Sequence, residues 1–178
     1  GRFLEALPGA SPFEAYLAEV LDRLAQYEWE AYGSLRPLGF VNWPTLDPLT
    51  WQSEASFQEE YLLRKARGER VEPPREGPVH EEDTVSLDPT RLRPLPGSPL
   101  TLFAAYHVYP YYPDFLVNEP ALAGGRYRNY LERLKAHHGA MPLLIAEFGL
   151  PSSWGLAHFH PEGLHHGGLS EEAQATGV

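Results

Sequence analysis

The chain contains no cysteine. That absence removes disulfides, thiolate metal sites and a cysteine nucleophile together, and it leaves the redox compartment open, because a cysteine-free chain is at home in either setting. Basic residues are also scarce: 14 Lys and Arg stand against 24 Asp and Glu, a formal charge of −10. This balance argues against nucleic acid and against an anionic membrane surface as partners. No apolar run approaches the roughly 20 residues that span a bilayer, and no cationic–apolar leader opens the sequence. No membrane segment is therefore expected here, and localisation is left open.

The material that is present suits one folded domain. Its 178 residues are domain-sized, and a hydrophobic share of 43% is enough for a core. The 18 prolines and 16 glycines gather between the periodic segments, which implies long loops. Aromatic residues in those loops suit flat, apolar-faced ligands such as sugar rings, although any single one serves as readily to anchor a loop. With no initiating Met, and with Ser170–Val178 reading as the start of a helix, the chain is expected to be a piece of a longer protein.

The chain is organised around Pro142–Leu–Leu–Ile–Ala–Glu–Phe–Gly–Leu–Pro151. A short apolar run bounded by Pro and Gly reads as a strand buried on both faces. Glu147 falls at its C-terminal end, where parallel α/β folds gather their chemistry. Upstream, Ser11–Pro12–Phe13–Glu14 is a helix start, with a capping Ser, Pro in the first position and Glu three residues after the cap. Phe13, Tyr16, Leu17, Val20, Leu21, Leu24 and Tyr27 follow at helical spacing and are expected to form the packing face. Leu38–Val41 reads as a strand ending in Asn42 and Trp43, with Asp47 at the same edge. Phe57–Arg67 reads as a helix, and residues 67–98 as an irregular insert. Leu102–Ala105 reads as a further strand, which empties into Tyr106, His107 and Tyr109. After Gly124–Gly125 a helix carries Tyr127, Tyr130, Leu131 and Leu134. His137 and His138 in its last turn read as exposed groups complementing the helix dipole. The tail from Pro151 reads as a long loop. Its four histidines, His158, His160, His165 and His166, suggest a metal site, but the loop offers no helical or strand frame to fix their geometry.

Three strand-like runs ending in polar and aromatic residues resemble the later strands of the (β/α)8 glycoside hydrolases of clan A, in its cellulase- and mannanase-like members. Leu144–Ile–Ala–Glu–Phe–Gly149 resembles strand seven, whose terminal Glu is the nucleophile. Tyr106–His–Val–Tyr109 resembles strand six, where a His-X-Tyr pair lies beside that nucleophile, and Phe40–Val–Asn–Trp43 would be strand five. Asn42–Pro48, Tyr106–Tyr112 and Pro151–His158 are similar to a bacterial group of barrel proteins in this clan.

The resemblance implies an α/β fold, a TIM barrel here carrying about strands five to seven with their helices over residues 1–178. It implies a retaining glycosidase that hydrolyses O-glycosidic bonds. Glu147 would be the nucleophile, His107 and Tyr109 its support, and Asn42, Trp43, Asp47, Tyr106 and Trp154 the carbohydrate-binding groups. No cofactor and no metal are implied. The clan's acid/base Glu follows an Asn at the end of strand four, and the single Asn-Glu here, Asn118–Glu119, follows strand six instead. The acid/base is therefore expected outside this sequence, the remainder of the barrel is an expected partner, and the piece alone is expected to be inactive. A carbohydrate-binding barrel without catalysis is the alternative reading, and a metal-dependent hydrolase using the histidine-rich tail is the third.

Overall fold

Ser11 starts the first helix, α1 (Pro12–Tyr32), in the manner its sequence predicts. Its hydroxyl accepts the Glu14 N–H at 3.2 Å, and the Glu14 carboxylate accepts the Ser11 N–H at 2.6 Å. Gly33 ends the helix in the left-handed region at φ 65°. These features come from a computed structural model, which describes residues 1–51, 86–110, 113, 119–159 and 165–177 together with positions 65, 68, 70, 72 and 73. The expected helix over Phe57–Arg67 falls, apart from Lys65, outside the described residues.

The face that α1 buries differs from the one its apolar spacing predicts. Glu14, Ala18, Leu21, Asp22, Ala25 and Glu28 are inward, whereas Phe13, Tyr16, Val20, Leu24 and Tyr27 are exposed. Each inward carboxylate meets backbone donors that would otherwise be orphaned. Asp22 accepts the N–H groups of Arg2, Phe3 and Leu4 at 2.7 to 3.0 Å. Glu14 accepts Asp88 N–H at 2.7 Å, and Glu28 accepts Arg36 N–H at 3.1 Å and pairs with the Arg36 guanidinium. The small Ala18 and Ala25 let the helix approach closely between these contacts.

A parallel sheet of three strands follows the order β2 (Val41–Asn42), β4 (Ala104–His107), β5 (Leu143–Glu147). Separately, β1 (Leu4–Ala6) and β3 (Leu92–Pro94) pair antiparallel. From Ser86 onward, the stretch expected to be an irregular insert forms a 3-10 turn (Pro89–Arg91) and then β3.

The sheet is built on one face. Leu38, Val41 and Asn42 lie opposite Leu102, Ala105 and Tyr106, and Ala104, Ala105 and Tyr106 lie opposite Leu143, Leu144 and Ile145. Because strand side chains alternate, Leu38, Asn42, Leu102, Ala104, Tyr106, Leu143 and Ile145 share a face. Leu38 and Leu102 pack with Ala18, Leu21 and Ala25 of α1. Ala104, Tyr106, Leu143 and Ile145 pack with Tyr130 and Leu134 of α2 (Arg126–His138). Both helices thus cover the same side. On the other side Val41 is 46% and Leu144 50% exposed. The expectation that the organising strand is buried on both faces is thereby corrected: no described element covers its second face.

On that second face Gly39 packs under Phe103. A Cβ there would sit 2.4 Å from the Phe103 carbonyl oxygen and 3.2 Å from its ring. Gly39→Ala is expected to destabilise the fold by about 1–3 kcal/mol through overpacking against backbone that must shift, measured as a lower urea midpoint with unchanged slope.

The tail, expected to be a long loop, has regular structure. Rather than a loop, it forms an antiparallel hairpin of β6 (Leu156–Phe159) and β7 (His165–Gly167), in which His158 and His166 are cross-strand partners. Helix α3 (Glu171–Gly177) follows. The fold is mixed α/β with a small parallel sheet, the described strands do not close into a barrel, and no described helix is long and apolar enough to cross a membrane.

Candidate active site at the C-terminal edge of the parallel sheet

Three of the residues singled out by sequence come together at one carboxylate. Tyr109 Oη donates a hydrogen bond to Glu147 Oε2, and His107 Nδ1 lies 3.2 Å from the same oxygen. A register shift makes the meeting possible. Tyr106 pairs with Ile145 but His107 pairs with Glu147, so Ala146 is an extra residue in β5. Without it His107 would oppose Ala146. Such bulges re-aim side chains at sheet ends. Glu147 keeps about half of its side-chain surface exposed while His107 is about 29% exposed. The group is open to a ligand on one side and held on the other.

The Tyr109 hydroxyl bonded to Oε2, with the His107 ring beside the same oxygen, orients the carboxylate. The second oxygen, Oε1, is not engaged by either His107 or Tyr109. An oriented, accessible carboxylate of this kind can act as a nucleophile or as a proton acceptor.

The other expected ligand-binding residues divide by burial. Trp43 is 41% exposed and Trp154 fully exposed. Trp154 borders a cleft of about 770 Å³ lined also by Ser152, Ser153, Leu169 and Glu172. Asn42, Asp47 and Tyr106, by contrast, are completely buried. Asn42 Nδ2 donates to the carbonyls of Leu46 at 3.1 Å and Leu87 at 2.9 Å, and its Oδ1 accepts Trp43 N–H. Asp47 accepts the Tyr130 hydroxyl and the Leu49 N–H, each at 2.6 Å. In the structure these groups tie the loop after β2 and helix α2 to the sheet.

Tyr106 points to the helix side, opposite to His107, and its hydroxyl lies 2.9 Å from His138 Nε2. Burial, and then the negative charge of Asp47, push its phenol far above the ordinary range, so it stays protonated. His138 is 4% exposed, which corrects its reading as an exposed dipole group. Desolvation, reinforced by neighbouring His137, pushes its pKa down to about 4. The signal was present in the sequence: Tyr130, Leu134 and His138 recur at four-residue spacing and are the buried residues of α2. Asn118 and the side chains of His158, His160, His165 and His166 lie outside the described residues. Glu119 caps the 3-10 turn Pro120–Leu122 through the Ala121 N–H at 3.0 Å.

Comparison with known proteins finds no matching family model, no matching curated protein and no matching solved structure.

Proposed function

We propose that this chain contributes the nucleophile side of a retaining glycosidase site, in a protein that hydrolyses O-glycosidic bonds of a carbohydrate. The observation that supports this is the convergence of Tyr109 and His107 on Glu147 at the C-terminal end of a parallel strand. In that reaction the Glu147 carboxylate attacks the anomeric carbon, and a glycosyl-enzyme ester forms as the leaving oxygen takes a proton from the acid/base carboxyl. Water, activated by the same acid/base, then releases the sugar. The two carboxyl groups must stand about 5–5.5 Å apart, so the acid/base belongs to a neighbouring strand end outside this sequence. His107 and Tyr109 orient the attacking oxygen, and Trp43 and Trp154 offer faces for sugar rings.

The fold is consistent with a section of a (β/α)8 barrel. Helices on one face of a parallel sheet, with Val41, Leu144 and His107 on the other, are what the wall of such a barrel requires. The exposed stripe of α1, from Phe13 to Tyr27, is where an adjoining barrel helix would pack. A carbohydrate-binding barrel without catalysis would share this wall but lack the second carboxyl.

The test is the stereochemistry of glycoside cleavage by the intact protein, followed by proton NMR of the first-formed sugar. Retention of the anomeric configuration is expected, and inversion contradicts the reading. Tyr109→Phe is expected to lower kcat about 10- to 100-fold, the worth of one charge-assisted hydrogen bond, with the fold unchanged by circular dichroism. Unaltered turnover would remove Tyr109 from the site.

A further inference from the structure

On the helix side of the sheet, away from Glu147, Asp88, His137 and His138 each offer a ligand atom within 4.8 Å of the other two. His137 Nε2 stands 3.1 Å from Asp88 Oδ1. His138 Nδ1 is buried and has no hydrogen-bond partner among the described residues, while its other nitrogen is committed to Tyr106. We propose that Asp88, His137 and His138 form a binding site for a divalent transition-metal ion of the zinc type, which pins the segment entering β3 to the end of helix α2. This proposal is independent of the glycosidase reading.

The donor set supports that ion class. Two imidazoles and one carboxylate suit zinc and its neighbours, and three protein ligands leave a position for water. Around an ion with bonds of about 2.0–2.1 Å, tetrahedral ligand atoms lie roughly 3.3 Å apart. The Asp88–His137 pair, at 3.1 Å, stands near that spacing, and the His138 ligand atom lies within 4.8 Å of both. Tyr106 supplies the orienting contact that metal-binding histidines ordinarily have. With His138 Nε2–H donating to the Tyr106 oxygen, the lone pair of Nδ1 is left free for the ion, which relieves a buried polar atom that otherwise lacks a partner. Asp88 is prepared as well. Its Oδ1 accepts the Thr90 hydroxyl at 2.7 Å and the Thr90 N–H at 2.9 Å, which hold the carboxylate in place. Arg91 Nε lies 3.8 Å from Asp88 Oδ2, on the carboxylate oxygen that does not face His137.

The test titrates the full chain, stripped with a chelator, with Zn²⁺ by calorimetry and with Co²⁺ by visible absorption. One ion per chain and cobalt ligand-field bands of low symmetry are expected, with no comparable response to Mg²⁺. Asp88→Asn and His137→Gln are expected to weaken zinc binding at least 100-fold, and Tyr106→Phe about 10- to 100-fold. His137 is partly exposed, so His137→Gln is the change least able to disturb packing, and circular dichroism checks that each variant folds. A chain carrying His158→Asn, His160→Asn, His165→Asn and His166→Asn should bind as the parent does. Absence of binding to the parent overturns the proposal, as does full-affinity binding by folded His137→Gln or loss of binding in the tail variant.

Discussion

On the proposed glycosidase reading, replacing Glu147 by Gln in the intact protein is expected to lower glycoside cleavage by on the order of 10³-fold or more and to leave carbohydrate affinity within a few-fold of the parent. The substitution keeps the shape of the side chain and an oxygen that can accept from Tyr109 and His107. What it removes is the negative charge and the nucleophilicity, the two properties the proposed first step uses. Initial rates on a panel of aryl glycosides and oligosaccharides, with calorimetric binding of the best substrate, measure both quantities. Near-normal turnover by the variant rules out the nucleophile assignment. Carbohydrate binding by a parent that cleaves nothing would favour the barrel that binds without catalysis.

Asp22→Ala has the largest expected effect on stability, a loss of about 2–5 kcal/mol. Asp22 Oδ1 accepts three successive N–H groups, those of Arg2, Phe3 and Leu4, and Oδ2 accepts the Gln26 amide at 2.6 Å. Phe3 and Leu4 are buried. Truncating the carboxylate therefore leaves two buried donors unpaired, each at a cost of about 1–3 kcal/mol. The contribution also depends on pH. Burial acts to raise the Asp22 pKa, but the backbone N–H groups outweigh it and the net shift is below the usual 3.8. A carboxyl depressed in the folded state stabilises above its unfolded pKa, and that stabilisation fades as pH falls through the folded value. The gap in urea midpoint between parent and Asp22→Asn should be full near neutrality and shrink steadily below about pH 4. A gap that stays constant into acid would show that ionisation of Asp22 contributes nothing.

Local chemistry was legible in the sequence; pairing between distant parts of the chain was not. Ser11, Pro12, Glu14 and Gly33 fix the ends of α1 by contacts within a turn. Ala104, Leu143 and Ile145 marked strands because apolar runs between turn residues have few alternatives. Which face of α1 turns inward depended on Asp22 finding the backbone of residues 2–4 and Glu14 finding Asp88, partners 74 positions apart in the second case. Apolar spacing alone pointed to Phe13, Tyr16, Val20, Leu24 and Tyr27, which the described fold leaves exposed. The candidate site shows the same division. Glu147 at one strand end, and His107 and Tyr109 at another, could be read from two separate stretches. The extra residue Ala146, which brings His107 opposite Glu147, has no sequence signature. Nor could the sequence say that Asn42, Asp47 and Tyr106 face the helices while His107 faces the other way, because a strand's alternation gives two faces without saying which is covered.

The two sides of the central strand carry separate chemistry. Tyr106 reaches toward His138 on the helix side, and His107 reaches toward Glu147 on the other. Rigid packing of Tyr106 between β4 and α2 therefore also fixes the backbone that presents His107, so substitutions under the helices should alter the site through position rather than contact.

The most direct test is to incubate the intact protein with an activated glycoside bearing fluorine beside the anomeric carbon, which slows breakdown of a glycosyl-enzyme more than its formation, and to map the product by peptide mass spectrometry. The account predicts a single covalent sugar on the peptide containing Glu147, absent from Glu147→Gln. Turnover of ordinary glycosides with the adduct on a different carboxylate would contradict it.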